Sequence, residues 1–315
     1  MKKNIIYVSG LLNFETILNV DHFPIDYFPI DYPFFGITSA VSGTAFNISK
    51  ALTTLGDKIL LSSHVGDDLL GNTIIRAAKK CRIDTTNVRT NLESTPSTVV
   101  LVDKYMNAQT YCDLKNIQDQ QSSFDEEAES IAAADLVILC NSNFNRPLLK
   151  KAHEMGKKIA TDVHIIGEVD DKFNADFMKY SDIVFLSERG IKDKDVVYED
   201  FLLDLYNTYH NEIIILGEGK VGAMILDSKK RVIYHIDSVT IRDIVNTVGS
   251  RDALFSAFNH FYLKGYDSLE ALKLAHVFAG YKIGESGSAE GFLKEAGLKA
   301  LAKEVDFAVY KIKEF

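Results

Sequence analysis

The residues of this chain best suited to chemistry stand in one run, Asn246-Thr247-Val248-Gly249-Ser250-Arg251-Asp252-Ala253-Leu254-Phe255-Ser256-Ala257-Phe258. A polar cap and a glycine lead into a strongly apolar helix, which leaves backbone N–H groups free in its first turn. Such amides form an anion site suited to a transferring phosphoryl group. Asp252 would lie beside that anion and could accept a proton from an attacking hydroxyl. The positive end of the helix is expected to keep Asp252 ionised, a weak base that chiefly orients the hydroxyl. The plainer reading is a capped helix with an acidic first turn, because helix-end amides bind anions in many unrelated proteins. Both readings stand on this run alone.

A second run, Ser42-Gly43-Thr44-Ala45-Phe46-Asn47, opens a helix that Leu55-Gly56 closes. Its small residues permit close backbone approach to a ligand, and Asn47 offers both a donor and an acceptor to a hydroxyl. Val65-Gly66-Asp67-Asp68-Leu69-Leu70-Gly71 is a further turn into a helix. Gly217-Glu218-Gly219-Lys220-Val221-Gly222 fits a dinucleotide-binding glycine pattern, but Ala223–Asp227 and Arg231–Ile236 after it read as strands. The fingerprint needs a helix there, so this is a loop between strands, and an NAD-dependent dehydrogenase rests on that pattern alone. A phosphate-binding Walker A run, an HExxH pair and a G-x-S-x-G elbow are all missing from the sequence. The eight histidines lack metal-ligand spacing.

The elements that must position these residues alternate. Ile5–Ser9, Lys58–Val65, Leu136–Leu139, Lys158–Thr161, Ile183–Leu186 and Ile213–Leu216 read as nearly continuous apolar strands. Two-sided burial of that kind marks parallel strands covered on both faces. Helices are predicted over Ala45–Leu55, Leu69–Lys80, Phe124–Ala133, Arg146–Met155, Tyr198–Tyr209 and Asp252–Leu263. The alternation predicts an α/β sandwich around a mostly parallel sheet. Two segments break the rhythm. Asn13 to Val41 is aromatic and carries the near-repeat Phe23-Pro24-Ile25-Asp26-Tyr27, Phe28-Pro29-Ile30-Asp31-Tyr32; Ser97 to Leu114 has a hairpin pattern. Together they suggest a small inserted β lid over a cleft, the alternative being a surface hairpin without function.

The 315 residues carry a net charge of −9, with 46% hydrophobic and 25% charged residues. No Lys/Arg block stands against that acidic background, which argues against nucleic acid as a partner. No stretch approaches the length of a membrane span, and the N-terminal apolar run is too short for a signal segment. Cys81, Cys112 and Cys140 are widely spaced, as expected of reduced, buried thiols in a cytoplasmic protein.

The order and spacing of these pieces resemble the PfkB (ribokinase-like) carbohydrate kinase family. Ser9-Gly10-Leu11-Leu12-Asn13-Phe14-Glu15 is similar to its first strand and sugar-contacting Asn-x-Asp, with Glu15 for Asp. Ser42 to Asn47 resembles its Gly-Gly-x-x-x-Asn, and Gly66 to Gly71 its Gly-x-Asp-x-x-Gly. Asn246 to Asp252 resembles its Asp-Thr-x-Gly-Ala-Gly-Asp, with Asn246 for Asp, Ser250 for Ala and Arg251 for Gly. The family's Asn-x-x-Glu near the metal should fall around Leu186 to Gly190, where neither residue is in place and Glu188 is a weak metal candidate.

The resemblance implies a ribokinase-like three-layer α/β/α sandwich with a mostly parallel sheet. Its large body would comprise residues 1–12, 42–96 and 115–315, and its small β lid residues 13–41 and 97–114. It implies an ATP-dependent kinase acting on a hydroxyl of a sugar or nucleoside, with Mg²⁺ and room for a monovalent cation. Asp252 would be the base, and the amides of Gly249, Ser250, Arg251 and Asp252 the anion hole. Asn13, Glu15, Gly43 and Asn47 would contact substrate, and the Glu15 carboxylate suits a hydroxyl pair of a polyol or ribose. Gly217, Gly222, Thr247, Ala279 and Gly280 would border ATP, with Ala279–Gly287 taken as a loop. The 23–35 aromatics would pack on substrate or join two lids in a homodimer. Arg251 would either crowd the transferring phosphate or stabilise it. The rival implication is a catalytically degenerate, kinase-like protein that binds a sugar or nucleoside for regulation.

Overall fold

A computed structural model describes residues 3–315; Met1 and Lys2, where the predicted large body begins, lie outside the described residues. In chain order the elements begin β1 Ile5–Ser9, β2 Asn13–Val20, β3 Ile37–Ser42, α1 Thr44–Leu55, β4 Lys58–Gly66, α2 Leu69–Lys80 and β5 Asp84–Leu92. They continue with β6 Ser97–Asp103, β7 Ala108–Asp113, α3 Phe124–Ala133, β8 Leu136–Leu139, α4 Arg146–Glu154, β9 Ile159–Ile165, α5 Ala175–Tyr180 and β10 Ile183–Ser187. The rest are α6 Tyr198–Tyr209, β11 Ile213–Gly217, β12 Gly222–Asp227, β13 Val232–Asp237, α7 Ser250–Leu263, α8 Ser268–Lys282, α9 Glu295–Ala302 and β14 Val309–Glu314.

Ten strands form the main sheet in the order β14-β13-β12-β11-β10-β9-β8-β1-β4-β5. From β11 to β5 every neighbouring pair is parallel, and β12, β13 and β14 extend it antiparallel. Successive side chains of a strand face opposite layers. Accordingly Ile6 and Val8 of β1 pack into a core with α1, α2, α7, α8 and α9, while Tyr7 packs with α3, α4, α5 and α6. This is the α/β/α sandwich that the alternating apolar runs predict.

A second sheet, β3-β2-β6-β7, gathers strands from both irregular segments. Strand β2 pairs antiparallel with β3 (Asn13 opposite Ser42) and parallel with β6 (Phe14 opposite Ser97). The β6–β7 hairpin turns on Asp103, whose carboxylate accepts the amides of Tyr105 and Asn107 at 2.8 and 2.9 Å. Between β2 and β3 the aromatic near-repeat stays at the surface, with Tyr27, Phe34 and Phe35 each more than four-fifths exposed. The Gly66–Gly71 turn ties this sheet to the body. Asp68 caps α2 through the Gly71 amide at 2.7 Å and also accepts the Thr95 amide at 2.8 Å, just before β6 begins.

Two expectations need correction. Of the three thiols expected to be buried, Cys140 is buried, Cys81 is half-buried and Cys112 is exposed on β7, a strand with no covered face. Ala279 and Gly280, taken as part of a loop, belong to the last turn of α8. A helix buried on nearly every side shows no amphipathic stripe to betray it. Gly280 lets that helix close on its neighbour, since a Cβ there would stand 2.9 Å from the Val239 carbonyl. No helix is long and apolar enough to cross a membrane among the described residues.

Candidate active site

The carboxyl ends of the parallel strands and the edge of the small sheet meet at the start of α7. Gly249 precedes that helix with φ 78°, and a Cβ there would fall 2.1 Å from the Ser288 carbonyl. Only glycine meets both demands cheaply. Within the first turn, Ser250 N–H donates to the Thr247 carbonyl at 3.1 Å and Ala253 N–H to the Gly249 carbonyl at 3.0 Å. The amides of Gly249, Arg251 and Asp252 carry no hydrogen bond among the described residues. So three of the four predicted anion-hole donors are unengaged, and Ser250 is bound back to Thr247.

Asn246 stitches this turn to the segment after α8. Its amide donates to the Ser286 carbonyl at 2.6 Å while its oxygen accepts Val248 N–H at 2.9 Å. An aspartate could not donate to that carbonyl, which accounts physically for asparagine at this position.

Asp252 is buried, and Asn47 of α1 donates to its Oδ2 at 2.7 Å. A chain of contacts runs on toward β2: Ser42 Oγ lies 3.5 Å from Asn47 Oδ1 and 2.8 Å from Ser288 Oγ. Both hydroxyls oppose the rise that burial imposes on the Glu15 carboxyl. Asn13 donates to Thr98 Oγ1 at 2.5 Å, and its own Oδ1 is buried without a partner. Gly43, with φ 101°, lets the start of α1 abut this strand, because a Cβ would meet the Leu11 carbonyl at 2.4 Å. The structure therefore joins Glu15, Asn47 and Asp252 in one buried network, with Asn13 and Gly43 at its edge.

The expectation that the helix end keeps Asp252 ionised is overturned. Burial pushes its carboxyl up to about 7; the Asn47 bond opposes the shift, the Asp162 charge adds to it, Arg251 opposes it and Glu15 adds to it. Desolvation outweighs the helix dipole at a site this enclosed. A group near neutrality is a better base than an ordinary aspartate. Burial also raises the Glu15 carboxyl.

Two residues that the sequence did not single out complete the site. Arg251 reaches across to Asp162 in the middle of β9, with Nε 2.5 Å from Oδ2 and Nη2 on Oδ1, and Nη2 also donates to the His164 carbonyl at 3.1 Å. The β9–β10 register shifts there, placing an extra residue on β9 that turns this stretch toward α7. Burial works against the Asp162 charge, but the Arg251 guanidinium prevails and holds that carboxyl below its usual range. Arg251 Nη1 has no partner among the described residues. Lys282, at the end of α8, is wholly buried, with its ammonium on the Val248 carbonyl. Asp162 offered one signal, a lone acid beside an apolar strand; Lys282 offered none, because it falls in a stretch expected to be a loop. The nearby Cys140 thiol is raised by burial and by the charges of Asp252 and Asp162, which leaves it inert.

The remaining predicted residues lie elsewhere on the rim. Glu188 follows β10, and its carboxylate is 3.2 Å from Lys192 Nζ and accepts from the Tyr198 hydroxyl at 3.1 Å. Gly217 pairs with Ser187 at the ends of β11 and β10. Gly222 begins β12, so the glycine run is a hairpin turn and the dehydrogenase reading falls. Thr247 is exposed above the α7 turn. Burial and the Glu188 charge raise Glu218, between the two glycines, to about 7.

The chain is 25% identical over 276 residues to the bifunctional protein HldE of Helicobacter acinonychis, covering 81% of this chain but only 57% of HldE. It is 24% identical to a deoxyribokinase of Salmonella typhi, covering 79% of this chain and 83% of the relative. Among solved structures, a microbiome-derived acarbose kinase superposes with a TM-score of 0.83 at 20% identity, covering 96% of this chain and all of the other. A ribokinase of Arabidopsis thaliana superposes at 0.78 and 16% identity, covering 96% and 99%. The model of the pfkB family carbohydrate kinases matches residues 6–295, and the chain belongs to that family.

Proposed function

We propose that this protein is an ATP-dependent phosphotransferase acting on a hydroxyl of a sugar or nucleoside. The observation that carries the reading is Asp252, buried and bonded to Asn47 at 2.7 Å, beside the three unengaged amides of Gly249, Arg251 and Asp252. Asp252 takes the proton of the attacking hydroxyl while the amides stabilise charge on the transferring phosphoryl. Arg251, oriented by Asp162, presents Nη1 to that phosphoryl, as arginines do in phosphoryl transfer. Asn13, Glu15 and Asn47 would hold the acceptor, and the small sheet, residues 13–41 and 97–114, would close over it as a lid. The exposed aromatics at its tip offer apolar area to the acceptor or to a second copy.

Gly217, Gly222, Thr247, Ala279 and Gly280 would border the nucleotide. The described residues contain no group of three or more His, Cys, Asp or Glu that could hold a metal. Mg²⁺ would be carried mainly by the phosphates, with Glu188, the one side-chain candidate, already engaged by Lys192 and Tyr198. When bound, Mg²⁺ neutralises charge on the phosphates.

The test incubates the protein with Mg·ATP and a panel of sugars and nucleosides, and measures ADP formation. Asp252→Asn should reduce turnover on the accepted compound about a thousandfold. Thermal stabilisation by an acceptor without any ADP, unchanged in Asp252→Asn, would overturn the kinase reading in favour of a binding protein.

A further inference from the structure

Lysine is almost never fully buried without a charged partner. Lys282 breaks that rule. Its side chain is wholly buried and its one hydrogen bond goes to a neutral backbone oxygen, the Val248 carbonyl. No carboxylate lies within ion-pair distance of it among the described residues; Asp252, Glu15, Glu290 and Glu285 act on it through their fields alone. Burying an ammonium on those terms is expensive. A packing role at this position would be filled better by an apolar side chain of the same length.

Its position explains the expense. Val248 immediately precedes Gly249, in the turn where the chain leaves Asn246 and enters α7. Three constraints define that turn. Asn246 Oδ1 holds the Val248 N–H at 2.9 Å, the Ser288 carbonyl sits where a Gly249 Cβ would be, and the Lys282 ammonium holds the Val248 carbonyl. The Val248 carbonyl and the Gly249 amide belong to one planar peptide unit, so fixing the oxygen fixes the direction of that N–H. The same ammonium places a positive charge beneath the amides, where it adds to the helix-end potential felt by an anion.

We propose that Lys282 is a positioning residue of the anion hole: its buried ammonium, bound to the Val248 carbonyl, aims the Gly249 amide and supplies fixed positive charge beneath the transferring phosphoryl. The inference rests on the phosphotransferase reading, and its test separates the two.

Wild type, Lys282→Met and Lys282→Gln are compared with the acceptor found in the panel and with inorganic phosphate as the anion probe. Turnover in Lys282→Met should fall about a hundredfold, the loss typical of one oxyanion donor, with little change in the acceptor KM. Ammonium or potassium chloride should restore part of that turnover by refilling the vacated site. Lys282→Gln can still donate to the carbonyl but lacks the charge, and should recover thermal stability more than turnover. Phosphate should shift the Gly249 amide resonance in wild type and do so more weakly in both variants.

Turnover equal to wild type in a folded Lys282→Met would overturn the inference, as would a loss confined to KM and thermal stability. Should neither variant fold, the wild-type Lys282 ammonium resonance decides: it shifts with phosphate alongside Gly249 if the inference holds, and its failure to move overturns it. A wild type without transfer to any acceptor sinks the phosphotransferase reading instead, and the phosphate titrations still judge Lys282. No phosphate shift at Gly249 overturns both.

Discussion

The two ends of the proposed cleft are built on opposite principles. Around Asp252 the side chains are held by one another and the free donors point at the cleft: Asn47 holds the carboxyl, Ser42 and Ser288 link toward Glu15, Arg251 pairs with Asp162, and Lys282 sits under the Val248 carbonyl. Around Gly217–Gly222 the pairing is less complete: Lys192 and Tyr198 hold Glu188, but Glu188 still raises Glu218, one of whose oxygens is buried without a hydrogen bond. The first end is organised before any ligand arrives, as transition-state stabilisation requires. The second leaves an acid with a bare buried oxygen, which suits a ligand that brings its own metal. The overall charge of −9 sharpens this division, because the proposed anionic nucleotide would have to be held by local groups.

Asp252→Asn tests the organised end hardest. Besides the loss of turnover, it should stabilise the fold at pH 8. A carboxyl raised from 3.8 to about 7 binds more protons folded than unfolded, so stability falls as pH rises through that interval. The penalty reaches on the order of 4 kcal/mol above pH 7 and vanishes below pH 4. The neutral amide removes it, and thermal unfolding at pH 8 and pH 4 should show a gain of several degrees at the former only. An equal gain at both would mean that Asp252 is ionised without strain.

Arg251→Gly should have the next largest effect. It leaves Asp162 buried without its partner, a loss of about 3 kcal/mol or more in stability, and should lower kcat about tenfold with little change in KM. Adding Asp162→Asn should recover the unfolding temperature but not kcat. Raised turnover in Arg251→Gly would mean that the arginine obstructs the phosphate. Gly249→Ala is expected to cost about 2 kcal/mol for its positive φ alone. The Ser288 carbonyl must also move, so ADP formation should fall along with the unfolding temperature.

How much of this contrast is legible in sequence follows from burial. The central strands announce themselves as apolar runs because both faces are covered, and the helices flanking them show stripes. Strands β5 and β14 close the two edges of the sheet with Thr-Thr-Asn-Val-Arg-Thr-Asn and Val-Tyr-Lys-Ile-Lys-Glu, polar runs that give no such signal. In the site, Asp252 and Asn47 are legible because each sits in a glycine-marked turn, whereas Glu15 is reached only through the family resemblance. The Arg251–Asp162 pair is not, because its partners are 89 residues apart and only the fold brings them together. The raised Asp252 carboxyl is not legible for a related reason: the helix end is visible in sequence, the enclosure around it is not.

Glu188→Gln carries the smallest expected effect, and it bears on the other end of the cleft. The Glu188 carboxylate is occupied by Lys192 and Tyr198, so its removal should change the Mg·ATP KM by no more than about threefold. Glu218, raised to about 7 partly by Glu188, should then titrate closer to an ordinary glutamate. By the same sign as at Asp252, the variant should lose less stability than wild type as the pH rises from 5 to 8, which paired unfolding curves would measure. A KM rise of tenfold or more would mean that Glu188 leaves Lys192 and Tyr198 to ligate the metal. The nucleotide end would then be organised by its own acids rather than by what the ligand brings, and the division between the two ends would fail.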